Sequence, residues 1–202
     1  LSTYYMGETE VTQALWQAVM GKSLTQIVNE NGWSTYGVGD NYPMYYINYE
    51  DCKTFVSKLN SLLSTQLGGK RFALPTEAQW EYAARGGNKS QGYKYSGSNS
   101  LSAVAWYTDN SGDASHTVKT KQANELGLYD MSGNVWEWCQ DWYSSYSRSS
   151  ETNPTGSSSG SSRVFRGGSW YNNARNCRVS NRFGNTPSRC GNYLGFRLCV
   201  LP

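Results

Sequence analysis

Helical patterning in this chain ends at Gly86-Gly87, and beyond that point Gly, Ser, Asn and Tyr separate only short strand-like pieces. A sequence that places its helices early and its strands late does not alternate strand and helix as a parallel βαβ sheet requires, so the fold class is α+β. At 202 residues it is long enough for one domain with one sizeable core. No internal repeat or linker divides it, and residues 1–202 are read as a single domain.

Three segments before the break read as helices. Thr12 to Met20 is stopped by Gly21, and Asn48 to Leu63 repeats Phe55, Val56, Leu59, Leu62 and Leu63 at helical spacing. The third starts at Pro75-Thr76-Glu77-Ala78-Gln79, where Thr76 and Gln79 form a capping box; Leu74, Trp80, Tyr82 and Ala83 around it are expected in the core. Strands are expected near Val104 to Trp106, Val135 to Trp138, Val164 to Phe165 and Phe196 to Val200. Ser144 to Ser162 is a Ser-rich insert containing Asn153-Pro154, expected as a surface loop with no core contribution.

Composition excludes several functions. The net charge of +3 is spread along the chain rather than gathered into a stripe, which argues against nucleic acid as a partner. No apolar run approaches the roughly 20 residues of a membrane helix. The five cysteines Cys52, Cys139, Cys177, Cys190 and Cys199 are odd in number and show no zinc-type spacing, so a monomer, the expected state, keeps a free thiol. The single histidine, His116, leaves no obvious base for a serine or cysteine nucleophile.

Five segments carry a family resemblance. They are Glu8-Thr9-Glu10-Val11-Thr12; Arg71-Phe72-Ala73-Leu74-Pro75-Thr76-Glu77-Ala78-Gln79-Trp80-Glu81-Tyr82-Ala83-Ala84-Arg85-Gly86; Gly127-Leu128-Tyr129-Asp130-Met131-Ser132-Gly133-Asn134-Val135-Trp136-Glu137-Trp138; Arg166-Gly167-Gly168-Ser169-Trp170; and Leu194-Gly195-Phe196-Arg197. Together they resemble the formylglycine-generating-enzyme-like (sulfatase-modifying-factor) domain. The resemblance implies a C-type lectin-like fold with few helices, small antiparallel sheets and many loops.

Two chemistries follow from that resemblance. The stretch from Asp130 to Trp138 is similar to a structural calcium site, with oxygens expected from Asp130, the carbonyls of Gly133 and Val135, and a bidentate Glu137. The competing reading is an Asp-started turn followed by a half-buried strand. The family's oxidases hold copper with two nearby thiols downstream of the Gly-Gly-Ser block. Here that stretch holds only Cys177, with Cys190 thirteen residues on, so oxidase activity is expected to be lost and no catalytic cofactor is expected. A calcium-dependent lectin is a further alternative.

The segment from Tyr171 to Tyr193 contains six Asn and four Arg but no Lys, Glu, Gln, Met or Trp, types that supply 37 of the 202 residues. Between Gly-Gly-Ser-Trp and Leu-Gly-Phe-Arg it resembles the variable regions of diversity-generating-retroelement proteins, of the Treponema variable-protein type. In those proteins adenine-directed mutagenesis of Asn codons reaches Tyr, Ser, Arg, Gly, Phe, Cys and Thr but none of the five absent types. Tyr, Arg, Ser, Gly and Asn are also the palette of antibody paratopes.

The resemblance implies a non-catalytic, exported and lipid-anchored cell-surface protein whose region of about 163–200 binds diverse ligands, expected to be proteins. The expected contacts are Tyr171, Asn173, Arg175, Asn181, Phe183, Asn185, Ser188, Arg189, Cys190, Asn192 and Tyr193, with Arg178 and Arg182 assigned to the scaffold.

Overall fold

Side-chain caps decide where the helices begin. In the computed structural model, which describes residues 1–202, strand β1 (Tyr5–Met6) precedes α1 (Gln13–Met20), capped by Thr12. Helices α2 (Leu24–Asn31) and α3 (Tyr49–Leu62) start on capping boxes, Ser23 with Gln26 and Asn48 with Asp51. After β2 (Arg71–Ala73), α4 (Glu77–Ala84) starts on the expected Thr76–Gln79 box. The short α5 (Leu101–Val104) ends the run of helices.

The strands then follow: β3 (Trp136–Trp142), β4 (Arg163–Arg166), β5 (Arg182–Asn185), β6 (Leu194–Phe196) and β7 (Cys199–Leu201). One sheet runs β1-β7-β2, all antiparallel, so the carboxy-terminal strand lies between two early ones. The other runs β5-β4-β3-β6, with β3 and β6 parallel.

Three sequence expectations need correction. Helix α2 is missed because its eight residues mix β-branched Thr25, Ile27 and Val28 with two Asn, weak helix formers that only the capping box rescues. The strand expected from Val104 to Trp106 is the end of α5 and a loop. Tyr82 is 45% exposed because it lies on the outer side of α4, while Leu74, Trp80 and Ala83 are buried as expected. The Ser-rich insert is the expected surface loop, held down where Ser157 bridges to Trp142 and the Tyr146 hydroxyl donates to Glu77 at 3.0 Å.

The main core lies between α1, α3 and the four-stranded sheet. Trp16 stacks on Phe55 at 5.5 Å, and Phe196 meets both edge-on; Trp138 is packed edge-on by Tyr49 and Phe165. A second cluster joins Trp80 of α4 to Met131, Cys139 and Val164.

Two buried arginines tie these layers together. Arg197 has no exposed surface and pairs with Glu137 at 2.8 Å, while its other donors reach the Gly7 and Tyr129 carbonyls. Arg166, equally buried, joins Glu77 and Glu81 of α4, each at 2.6 Å, and donates to the Val179 carbonyl. Asp141 sits beside this network, accepting the Glu77 N–H at 2.8 Å, and burial close to Glu77 pushes its carboxyl up to about 6.

Replacing Arg197 by Leu strands Glu137 among Glu10 and Asp130, and chemical denaturation at neutral pH is expected to show a loss of about 3–5 kcal/mol. For Asp141 the sign runs the other way from an ordinary paired carboxylate. Its folded-state affinity for protons exceeds the unfolded one, so wild-type stability falls on this account as pH rises from about 4 to about 6. Asp141→Asn keeps an acceptor for the Glu77 N–H, and its stability relative to wild type is expected to grow across that window in thermal melts. A difference that stays constant with pH would show that Asp141 does not titrate there.

Candidate functional site

The segment between β4 and β6 begins with two glycines in the left-handed region, Gly167 at φ 101° and Gly168 at φ 78°. A side chain at Gly168 would meet Cys177 Sγ at 2.7 Å, so only glycine lets the chain pass so close to itself. Trp170 then drops into the core, 2% exposed, with its backbone N–H on the Asn134 carbonyl and its indole N–H on the Asn192 carbonyl.

Trp136 of β3 holds the same segment at two further points. Its indole donates to Asn172 Oδ1 at 2.7 Å, and its backbone N–H donates to the Tyr193 carbonyl. Ser132 fixes the Cys177 carbonyl, Tyr49 the Pro187 carbonyl and Tyr46 the Gly191 carbonyl. The loops are therefore anchored at their ends and in the middle by groups outside them.

On that frame every expected contact residue reaches solvent. Tyr171 is 65% and Phe183 47% exposed; Asn173, Arg175, Ser188 and Arg189 are exposed, and Asn181, Asn185, Cys190, Asn192 and Tyr193 are half-buried. The residues interleaved with them, Cys177, Val179 and Gly191, are buried.

Tyr171, Asn192 and Tyr193 converge beside Trp170, and Arg189 donates to the Tyr193 hydroxyl at 2.8 Å. Phe183 lies on Trp136 and Phe165, at ring-centre distances of 5.7 and 6.2 Å. Cys190 lines a different cavity, of about 310 Å³, with Trp16, Trp33 and Tyr46. Arg182 is scaffold as expected: alternation along β5 sends it away from Phe183 to a double contact with Glu77. Arg178 donates to the Arg175 carbonyl.

Sequence reasoning missed Tyr36 and Asp113, which join this face from distant loops. It also missed a cavity of about 770 Å³, formed where the Ser-rich insert folds over α4 near Glu77, Asp141 and Arg182. No spacing within either segment carried a signal for these long-range approaches.

Of the donors expected for calcium, Glu137 is already committed inside the protein. Arg197 lies within 3.2 Å of both oxygens of Glu137, and Trp80 donates to one of them at 2.6 Å, so the carboxylate already faces an internal cation. Asp130 accepts the Lys119 N–H with one oxygen, and its other oxygen is buried without a hydrogen-bond partner. No group of three or more His, Cys, Asp or Glu side chains is arranged to hold a metal ion.

The thiols are likewise unlike a paired site. All five cysteines are free; Cys177 is packed in a cluster with Tyr95, Leu101 and Val104, and burial pushes its thiol up to about 12. His116 is stacked on Trp106 at 3.7 Å, and its Nε2 donates to the Ser111 carbonyl.

Comparison with known proteins places this geometry in context. Treponema denticola variable protein 1 superposes with a TM-score of 0.87 at 36% identity, over 100% of this chain and 85% of that one. CarF gives a TM-score of 0.73 at 26% identity, over 98% of this chain and 86% of that one. These likenesses agree with a formylglycine-generating-enzyme-like, C-type lectin-like fold.

In sequence, the chaperone protein LppX of Paenibacillus barcinonensis is 34% identical over 89% of this chain and 74% of its own. The formylglycine-generating enzyme of Streptomyces coelicolor is 35% identical over 78% of this chain, which spans about half, 52%, of that enzyme. The model of the sulfatase-modifying factor enzyme 1-like domain matches residues 1–201. The chain therefore belongs to the sulfatase-modifying factor enzyme 1-like domain family.

Proposed function

We propose that this chain is a non-catalytic ligand-binding protein, displayed at the cell surface through a lipid anchor, whose face built from residues 171–193 binds protein ligands and is diversified by retroelement mutagenesis. The observation that carries the reading is the division of labour in that segment. All eleven expected contact side chains reach solvent, whereas the residues that fix the loops, Trp136 and Trp170 above all, are buried. A surface arranged this way accepts substitution without unfolding, as a diversified site must.

Similarity to a Treponema variable protein over the whole chain supports the same reading. So does the state of the thiols: a buried Cys177 with a raised affinity for its proton is a poor copper ligand, and Cys190 lines another cavity.

Sequencing the gene from several isolates tests the proposal. Substitutions are expected to cluster between residues 171 and 193 with an adenine bias in their codons, and an even scatter along the gene would overturn it. The frame makes a companion prediction about stability. Tyr171→Ala, Asn173→Ala and Arg189→Ala are each expected to shift unfolding by no more than about 0.5 kcal/mol. Trp170→Ala is expected to cost about 3–5 kcal/mol in the same denaturation experiment.

A further inference from the structure

We infer that the cavity between Tyr36, Trp170, Tyr171 and Tyr193 is a cation-binding subsite that takes the ammonium group of a lysine side chain presented by a protein ligand. The inference rests on the reading of this face as a binding surface and gives it a ligand chemistry.

The cavity is about 400 Å³ and is completed by Asp113 and Asn192. Tyr36 and Trp170 are stacked nearly parallel, with ring centres 5.2 Å apart and planes 19° apart, so the half-buried Tyr36 ring, backed by the buried Trp170, forms one side. Tyr171 stands almost perpendicular to Trp170, at 74°, so two aromatic surfaces meet in a corner. Aromatic faces carry negative potential and attract cations, more strongly where water is partly excluded.

Asp113 supplies the full charge. It takes part in none of the protein's eight salt bridges, so its carboxylate has no internal cation to neutralise it. Asp113 is exposed, sits in a turn with its backbone in the left-handed region at φ 61°, and lines the same cavity as the rings. An anion would meet the carboxylate and the ring faces as repulsion, and a neutral apolar group would leave the carboxylate unused.

Arg189, bonded to the Tyr193 hydroxyl and 5.9 Å from that ring's centre, lies outside the cavity lining and already uses the same wall as a cation partner. Tyr36, Asp113 and Trp170 lie outside the 171–193 segment, so half of the subsite belongs to the frame and half to the diversified loops.

The test is an NMR titration of the whole protein with N-acetyl-lysine methylamide, using its uncharged near-isostere N-acetyl-norleucine methylamide as control. The lysine probe is expected to shift the Trp170 indole signal saturably, with the norleucine probe weaker by roughly fivefold or more. Asp113→Asn is expected to weaken the lysine probe by a similar roughly fivefold factor, and asparagine tolerates the left-handed backbone, so the loop is retained. Equal binding of the two probes, no effect of Asp113→Asn, or no saturable shift would each overturn the subsite. Failure here leaves the isolate-sequencing result untouched, and an even scatter of substitutions among isolates leaves the probe result untouched, so the two readings fall separately.

Discussion

A guanidinium with no exposed surface must find its acceptors inside the protein, and Arg197 finds them in three separate parts of the chain. Glu137 of β3, the Gly7 carbonyl after β1 and the Tyr129 carbonyl before the Asp130 turn all meet on one side chain. The indole of Trp80 closes the remaining side of the Glu137 carboxylate. Burying an ion pair this way costs desolvation, which only good geometry and full hydrogen bonding offset. What it contributes is placement: the β1-β7-β2 sheet, α4 and β3 are held in one arrangement, and β3 carries Trp136, the residue on which the candidate surface is hung.

The same logic repeats one layer outward with Arg166, which joins β4 to Glu77 and Glu81 of α4 and to the Val179 carbonyl inside the 171–193 segment. Arg182 then adds a bidentate contact to Glu77 from β5. Alternation along β5 puts Arg182 into this network and Phe183 onto Trp136 and Phe165, so the edge strand is fixed on one face while it displays a ring on the other. Anchoring and display are thus carried by neighbouring residues of the same strand, with opposite exposures.

Most features set by local chemistry were legible in the sequence, the Ser23–Gln26 start of α2 excepted, and features set by distant partners were not. Thr12, Asn48 and Thr76 announce helix starts because a cap acts within three residues of itself. The five motif blocks gave the fold, and the missing residue types between Tyr171 and Tyr193 marked the surface. Glu137 was read as a calcium ligand because the local pattern offers oxygens; its true partner lies 60 residues away, and no spacing within the motif points there. Tyr36 and Asp113 escaped for the same reason, since each lies in a loop that reaches the surface only through packing against the Trp170 region.

At Cys177 one turn of the frame sets both the state of a thiol and the exposure of its neighbours. A thiol that binds copper or attacks a substrate has to ionise, and ionisation needs water or a nearby cation. Cys177 has neither, because the positive-φ glycines bring the chain so close that its sulfur packs beneath Gly168 among apolar neighbours. That close approach also steers Trp170 inward and Tyr171 outward at the next step. The geometry that buries the thiol is therefore the geometry that presents Tyr171, the first residue of the candidate face.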